Sequence, residues 1–455
     1  MRLLSWPVRP KGIRSIVRLL FSRTLYYLPG VPSRAQLDDF VERLARLLRR
    51  VFFRSVEVEG RERIPHDAPL VIVANHHNSL VDPLLLFATL GVTPRFLAKS
   101  TLWDLPGIRQ LLDLAGAVPV YRRQDEGVDA SQNEQTFTRC FDELAGGGCV
   151  ALFPEGISHD AAGLAPLKTG AARIVLGSVR ERGTRGLRIL PVGLTFEAKG
   201  VFRSRALVRI GEPLDPTTWE RAAEHDPREA VRSLTDAIHQ ALRRVILDYP
   251  SHEEASLLER AADLFAAREK ELPARLALAE AFALRQAALG TYERLRERDP
   301  ETVGSLRERV GAYAARVEAL GLRDDHVASR YPRREVFAYA VGSLALLFFW
   351  LPLAALGVFF NWVPYRLLGL AAGRARSEDL PATVKLFGGF FLFPIAWAVW
   401  SVLAGLWLGG WAALTTLVVA PASGWYAMRF QERYEDLFDE AVAYALEYAR
   451  DRDDT

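Results

Sequence analysis

The sequence predicts an α/β fold, a mixed central sheet flanked by helices, followed by a helical segment and C-terminal transmembrane helices. Three observations carry this. Over residues 55–221, short apolar runs alternate with amphipathic helical stretches. Residues 222–335 are dense in Ala, Arg, Glu and Leu and poor in strand signals. Val336–Tyr365 and Leu386–Met428, 30 and 43 residues long, contain no Asp, Glu, Lys or Arg. The near-zero mean hydropathy of +0.04 averages over these unlike parts. With 25% charged residues and only 2 Cys, a disordered polyelectrolyte, a collagen-like repeat and a disulfide scaffold are excluded. A net charge of +3 is too mild to demand nucleic acid.

Residues 1–54 read as basic amphipathic helices that associate with a membrane. Arg2, Arg9, Lys11, Arg14, Arg18, Arg23 and Arg34 precede the first acid, Asp38. Ile13, Ile16, Val17, Leu20 and Phe21 recur at helical spacing among them. Such a segment either lies in the headgroup region of an anionic bilayer or packs as an ordinary helix with a solvated basic face. Arg14, Arg18 and Arg23 interrupt any signal-peptide core. Gln36–Arg54 forms a second helix, with Leu37, Phe40, Val41, Leu44, Leu47, Leu48 and Val51 on one face.

Residues 55–221 form the α/β domain. Leu70–Ala74, Phe96–Ala98, Ala117–Val120, Cys149–Phe153 and Leu187–Leu194 read as strands, with Val208–Ile210 a further one. Ser131–Leu144 and Leu167–Arg180 read as helices. Cys140 and Cys149 lack metal-site spacing and fit reduced core thiols of a cytoplasmic domain. Residues 222–335 are a helical spacer or cap of four helices, Pro227–Leu247, Glu253–Glu269, Pro273–Glu297 and Pro300–Leu320, with no catalytic pattern.

Residues 336–428 are the transmembrane region, because a bilayer crossing takes roughly 20 apolar residues. The segments fall near 337–360, 386–405 and 410–428, with Gly405–Gly410 as the turn between the last two. Seven of the 10 Trp lie in this region, as interfacial anchors do. Every polar flank is basic, so hairpins on one face and two or three true crossings both satisfy the positive-inside rule. Residues 429–455 read as a charged C-terminal helix. The chain is expected to be a multi-pass membrane protein with its active site on the cytoplasmic face.

The stretch Ala74-Asn75-His76-His77-Asn78-Ser79-Leu80-Val81-Asp82-Pro83 follows a strand directly, where α/β folds place catalytic groups. At a helix start, Asp82 can reach the Nδ1–H of His77, leaving Nε2 to take a proton from a substrate hydroxyl. Incidental histidines in an N-cap turn, or a metal pair, are the alternatives. His76 then merely packs or caps, and Ser79 is a turn residue rather than a nucleophile. Three further strand ends carry chemistry: Tyr121-Arg122-Arg123, Phe153-Pro154-Glu155-Gly156-Ile157-Ser158-His159-Asp160 with Lys168-Thr169-Gly170 beyond it, and Pro191-Val192-Gly193-Leu194. Arg122, Lys168, Arg203 and Arg205 suit an anionic substrate such as a phosphate. Arg203 and Arg205 are equally well read as a solvated pair at a strand end. Adding His159 and Asp160 to His77 gives no compact ligand set, so no metal is expected.

These four ordered blocks, spanning roughly residues 55–215, resemble the glycerophospholipid acyltransferases of the PlsC type. The wording F-P-E-G-I-S-H-D, L-K-T-G-A-A-R and F-R-S-R-A is most similar to the branch acting on glycerol 3-phosphate or dihydroxyacetone phosphate. The resemblance implies a membrane-bound O-acyltransferase of phospholipid biosynthesis. Its acyl donor would be acyl-CoA or acyl carrier protein, with no other cofactor, and its acceptor a phosphorylated glycerol taken at the sn-1 hydroxyl. Lysophosphatidate acylation at sn-2 is the neighbouring activity, and a non-catalytic membrane scaffold the remote one. It also implies His77 as the base oriented by Asp82, and Glu155 and Gly156 in the acceptor-binding block. Backbone N–H groups after Asn75 are expected to stabilise the oxyanion. Ile157 and Ser158 stand where much of the family has Thr and Arg, which moves phosphate binding to Lys168, Arg173 and Arg122.

Overall fold

The computed structural model describes residues 33–104, 107–122, 130–269, 276–319, 333–374 and 380–453. The basic segment expected over residues 1–32, and Arg123, lie outside them. Helix α1 (Arg34–Phe52) opens on a capping box: Ser33 Oγ accepts the Gln36 N–H at 3.3 Å, and Gln36 Oε1 accepts the Ser33 N–H at 2.7 Å. Val41, Ala45, Leu48 and Phe52 are buried along one stripe of it. The Arg95 guanidinium forks onto Asp38 at 2.8 and 3.0 Å, fixing the helix to the sheet.

Seven strands form one sheet: β1 (Ser55–Glu59), β2 (Leu70–Ala74), β3 (Arg95–Lys99), β4 (Val118–Val120), β5 (Cys149–Leu152), β6 (Arg188–Phe196) and β7 (Arg205–Ile210). Their order is β1-β7-β6-β2-β5-β3-β4, and only the β6–β7 pair is antiparallel. The sheet is mixed, as the sequence predicts. Strand β1, half-buried at the edge, has a weaker apolar signature than the runs singled out above.

Helices α2 (Val81–Thr89), α3 (Ile108–Ala115), α4 (Asn133–Ala145), α5 (Gly170–Arg182), α6 (Thr217–Ala223) and α7 (Pro227–Arg243) complete the α/β part. Side chains alternate across a strand, so β2 feeds two cores. Leu70, Ile72 and Ala74 pack with α1 and α2, while Val71 and Val73 pack with α4, α5 and α7. Both faces being covered, all five residues of β2 are buried. Cys140 and Cys149 are free thiols; burial pushes the Cys140 thiol up to about 12 and Cys149 upward too.

Helices α8 (His252–Glu269), α9 (Leu278–Arg298) and α10 (Pro300–Ala319) form the cap. It is seated on the β1–β7 edge, where the Glu57 carboxylate accepts the Leu278 and Ala279 N–H groups at 2.8 and 2.9 Å.

Helices α11 (Arg333–Gly373), α12 (Leu380–Leu408) and α13 (Gly410–Asp453) form a C-terminal bundle. Phe348–Gly373 and Pro381–Leu408 are long and apolar enough to cross a membrane. Asn361 joins all three helices: its Nδ2 donates to Gly357 O and Ala420 O, and its Oδ1 accepts the Trp397 indole N–H at 2.8 Å. The break between α12 and α13 falls at Gly409, whose φ of 93° favours glycine. The expected segment 410–428 and the charged helix 429–455 are not separate, since α13 runs through both.

Candidate active site

Strand β2 ends at Asn75, whose side chain is locked to the end of β6. Its Nδ2 donates to Leu194 O at 3.0 Å and its Oδ1 accepts the Leu194 N–H at 2.7 Å. The chain then turns through Ser79, whose φ of 45° is left-handed, and α2 starts at Val81. This turn sends the Asp82 carboxylate, fully buried in the first turn of α2, back toward β2.

Asp82 Oδ2 accepts three hydrogen bonds: from His76 Nδ1 at 2.8 Å, from the His77 backbone N–H at 2.9 Å and from the Asn78 N–H at 2.8 Å. The imidazole that Asp82 orients is therefore that of His76, and the expected His77 pairing is corrected. The reason is geometric: with the turn at Ser79 preceding the helix, the carboxylate meets the main chain of His77 and the ring of His76. The His76 ring stacks on Phe153, with centroids 4.0 Å apart and planes at 7°. With Nδ1–H committed to a carboxylate, its Nε2 is the proton acceptor.

His77 Nδ1 is instead 3.2 Å from the carbonyl of His159, which only an N–H can approach, and its ring meets the His159 ring edge-on. Burial holds the His77 imidazole below its ordinary range, against the pull of Asp82 and Glu155. His159 Nδ1 accepts the Ala161 N–H at 3.1 Å, so its proton sits on Nε2 and is donated to Glu155. Glu155 also accepts the His76 N–H at 2.7 Å and the Ala165 N–H at 2.9 Å. It is 2% exposed and fully engaged in shaping the turn, not turned toward an acceptor as the resemblance implies.

The backbone donors expected to form an oxyanion hole are all committed. Those of residues 76, 77 and 78 go to Glu155 and Asp82, that of Ser79 to Ser158 Oγ, and that of Leu80 to Thr383 Oγ1.

His76 opens onto a cavity of about 1390 Å3. Arg122, Gly156, Lys168 and Arg173 are in its lining, bringing four of the expected residues to one cavity. Arg122 Nη1 donates to Gly156 O at 2.9 Å, and the Arg173 guanidinium lies 4.7 Å from the Phe137 ring centroid. Gly156 has a φ of 72°, and a Cβ there would come 2.6 Å from Lys168 Nζ, so glycine is what lets Lys168 cross the turn. Much of the remaining lining is apolar: α1 supplies Val41, Leu44 and Leu48, α2 supplies Leu84 and Phe87, and α12 supplies Phe387 and Phe390, with Lys99 and Glu134 among the polar exceptions.

Arg203 and Arg205 are not brought to this cavity. Arg203 is a buried clamp, donating to Arg50 O at 2.8 Å and Phe53 O at 2.7 Å and pairing with Glu432 of α13. Arg205 lies on β7, bonded to Glu197 at 2.8 Å and to Leu276 O at 2.6 Å beneath the cap. Sequence reasoning passed over His76 as a ring and missed Phe153, Phe387 and Phe390. Only the doubled histidine offered a signal.

Residues 55–195 match the Acyltransferase family. The chain is 26% identical to an uncharacterized acyltransferase of Schizosaccharomyces pombe over 77% of this chain and 66% of that protein. It is 27% identical to glycerol-3-phosphate O-acyltransferase 2 of Saccharomyces cerevisiae over 60% of this chain and 38% of that one. It is also 27% identical to a chloroplastic 1-acyl-sn-glycerol-3-phosphate acyltransferase of Arabidopsis thaliana, over 37% and 44%. The chain thus spans just under two thirds of the first relative and less than two fifths of the Saccharomyces enzyme. The crystal structure of the lysophosphatidate acyltransferase PlsC from Thermotoga maritima covers 52% of this chain and 87% of its own, at 23% identity and a TM-score of 0.35. The stretch that matches the Acyltransferase family runs from β1 to the end of β6.

Proposed function

We propose that the protein is a membrane-bound enzyme that moves a fatty acyl group from a thioester, acyl-CoA or acyl carrier protein, to the sn-1 hydroxyl of glycerol 3-phosphate or dihydroxyacetone phosphate. The observation that carries this reading is one cavity whose lining combines the Asp82-oriented His76, the cationic side chains of Arg122, Lys168 and Arg173, and many apolar side chains. Pockets for single small molecules are about 300–1,000 Å3; at about 1390 Å3 this one has room for an acceptor and an acyl chain together.

His76 Nε2 takes the hydroxyl proton while the oxygen attacks the thioester carbonyl, forming the C–O bond. As the tetrahedral intermediate collapses, the C–S bond breaks and the thiolate recovers the proton from His76. Asp82 stays ionised throughout and stabilises the imidazolium. Arg122, Lys168 and Arg173 hold the phosphate of the acceptor, and, with the backbone donors engaged, Arg122 and Lys168 also face the developing oxyanion. The apolar helices Phe348–Gly373 and Pro381–Leu408 hold the enzyme in the bilayer from which the acyl product is drawn off.

The match to the Arabidopsis protein favours a second reading, acylation of lysophosphatidate at sn-2. An acceptor panel decides, using purified full-length protein with one acyl-CoA and one acyl-carrier-protein donor. Turnover of glycerol 3-phosphate or dihydroxyacetone phosphate supports the first reading; turnover of lysophosphatidate alone replaces it with the second.

A further inference from the structure

The C-terminal bundle is more than an anchor at this site. Thr383, Leu386, Phe387 and Phe390 lie at i, i+3, i+4 and i+7 of α12, one face of a helix, and that face is turned to the catalytic layer. Thr383 Oγ1 accepts the Leu80 N–H at 3.2 Å, two residues before Asp82. Ala382 and Leu386, 0% and 5% exposed, belong to the same core as Leu84 and Leu85 of α2. Phe387 packs against that core, and Phe387 and Phe390 line the same cavity as Val41, Leu44 and Leu48 of α1. At 1.5 Å rise per residue, Phe390 stands roughly 10 Å along α12 from the Thr383 contact. A chain attached at a reacting carbonyl beside His76 shares its cavity with Phe387 and Phe390.

We propose that Phe387 and Phe390 of α12 form a wall of the acyl-chain channel and set the length of chain the enzyme accepts. This rests on the acyltransferase reading above, and it makes the C-terminal helices part of the substrate site. The chemistry fits a saturated or monounsaturated acyl chain: aromatic rings together with Leu and Val side chains offer dispersion contacts and no polar partner. Specificity then follows from how many methylenes fit before the wall obstructs them.

The test is a series of acyl-CoA donors from eight to twenty carbons with the full-length protein, comparing wild type with Phe387→Ala, Phe390→Ala and Phe390→Trp. Phe390 is 37% exposed, so its variants spare the buried core. The alanine variants are expected to raise kcat/KM for the longest donors relative to the shortest by about fivefold or more, and Phe390→Trp to lower that ratio similarly. The acceptor KM should stay within about twofold. A ratio unchanged in all three variants would overturn the proposal. A second measurement reads occupancy without turnover: an acyl-CoA with a diazirine at the chain end, photolysed on the protein, should label α12. Label confined to other elements would likewise refute the wall. A protein labelled on α12 that makes no acylated acceptor would instead refute the transferase reading and leave the wall standing.

Discussion

The Asp82 carboxylate grips the His76 ring at Nδ1 and the His77 main chain at its N–H through the same oxygen, Oδ2. Two adjacent histidines are thereby given opposite tasks. One lines the cavity; the other, half-buried, turns its Nδ1 to the carbonyl of His159.

His76→Ala should lower kcat by about 10²–10⁴-fold, the usual worth of a general base. His77→Ala should cost far less in kcat. Steady-state rates with glycerol 3-phosphate and acyl-CoA compare the two, and a reversed ranking would return the base to His77.

In the cavity lining, Lys168→Ala and Arg173→Ala each remove one charge-assisted contact of about 1.5–3 kcal/mol. The acceptor KM should therefore rise about tenfold or more in each, with the donor KM little changed. Arg205→Ala, outside the cavity, should leave both constants alone. Equal effects on donor and acceptor would argue against a phosphate role.

Arg203→Ala removes one of the two guanidinium partners of Glu432, which is 8% exposed, and leaves Arg429 at 3.2 Å. Leaving a buried charge wholly unpaired costs about 3–5 kcal/mol, and the Arg429 contact offsets part of that here. Thermal unfolding in detergent should show a clear drop in Tm with acceptor KM intact, and a milder drop for Glu432→Gln. A raised acceptor KM at unchanged Tm would put Arg203 back among the substrate contacts.

The burial that lowers the His77 pKa also makes stability pH-dependent. The unfolded chain protonates near the ordinary value of 6.5, before the folded one does. Stability from the neutral ring is therefore complete above about pH 6.5 and is lost as pH falls from there through the lower folded value. Denaturant unfolding at pH 7.5 and 5.5 should show this loss in the wild type and a smaller one in His77→Gln. Identical losses would place the proton elsewhere.

Much of this architecture was legible in the residues. Leu70–Ala74 is continuously apolar because helices cover both faces of β2, and such runs announce themselves. The long uncharged windows likewise give α11 and α12. The choice between His76 and His77 was not legible. Counting from Asp82 assumes a helix already under way, but α2 begins only at Val81, after Ser79 takes a left-handed φ that its residue type does not signal. Arg203 and Arg205 looked alike as cations near a strand end. One turns out to be held by carbonyls of α1 and the other lies under the cap, a matter of side-chain direction that composition does not encode. The contribution of α12 was hidden by distance along the chain: Thr383 and Leu80 are 303 residues apart.

The clamp on Arg203 also has a consequence in time. Glu432 follows Arg203 by 229 residues, which at about 5–20 residues per second takes a ribosome roughly 10–50 s to add. Until then the guanidinium can hold the carbonyls of Arg50 and Phe53 but lacks its carboxylate, and it must stay in contact with water. The seam between sheet and bundle therefore closes late in synthesis. The nascent enzyme carries its histidine and its basic groups well before it has a finished channel to use them in.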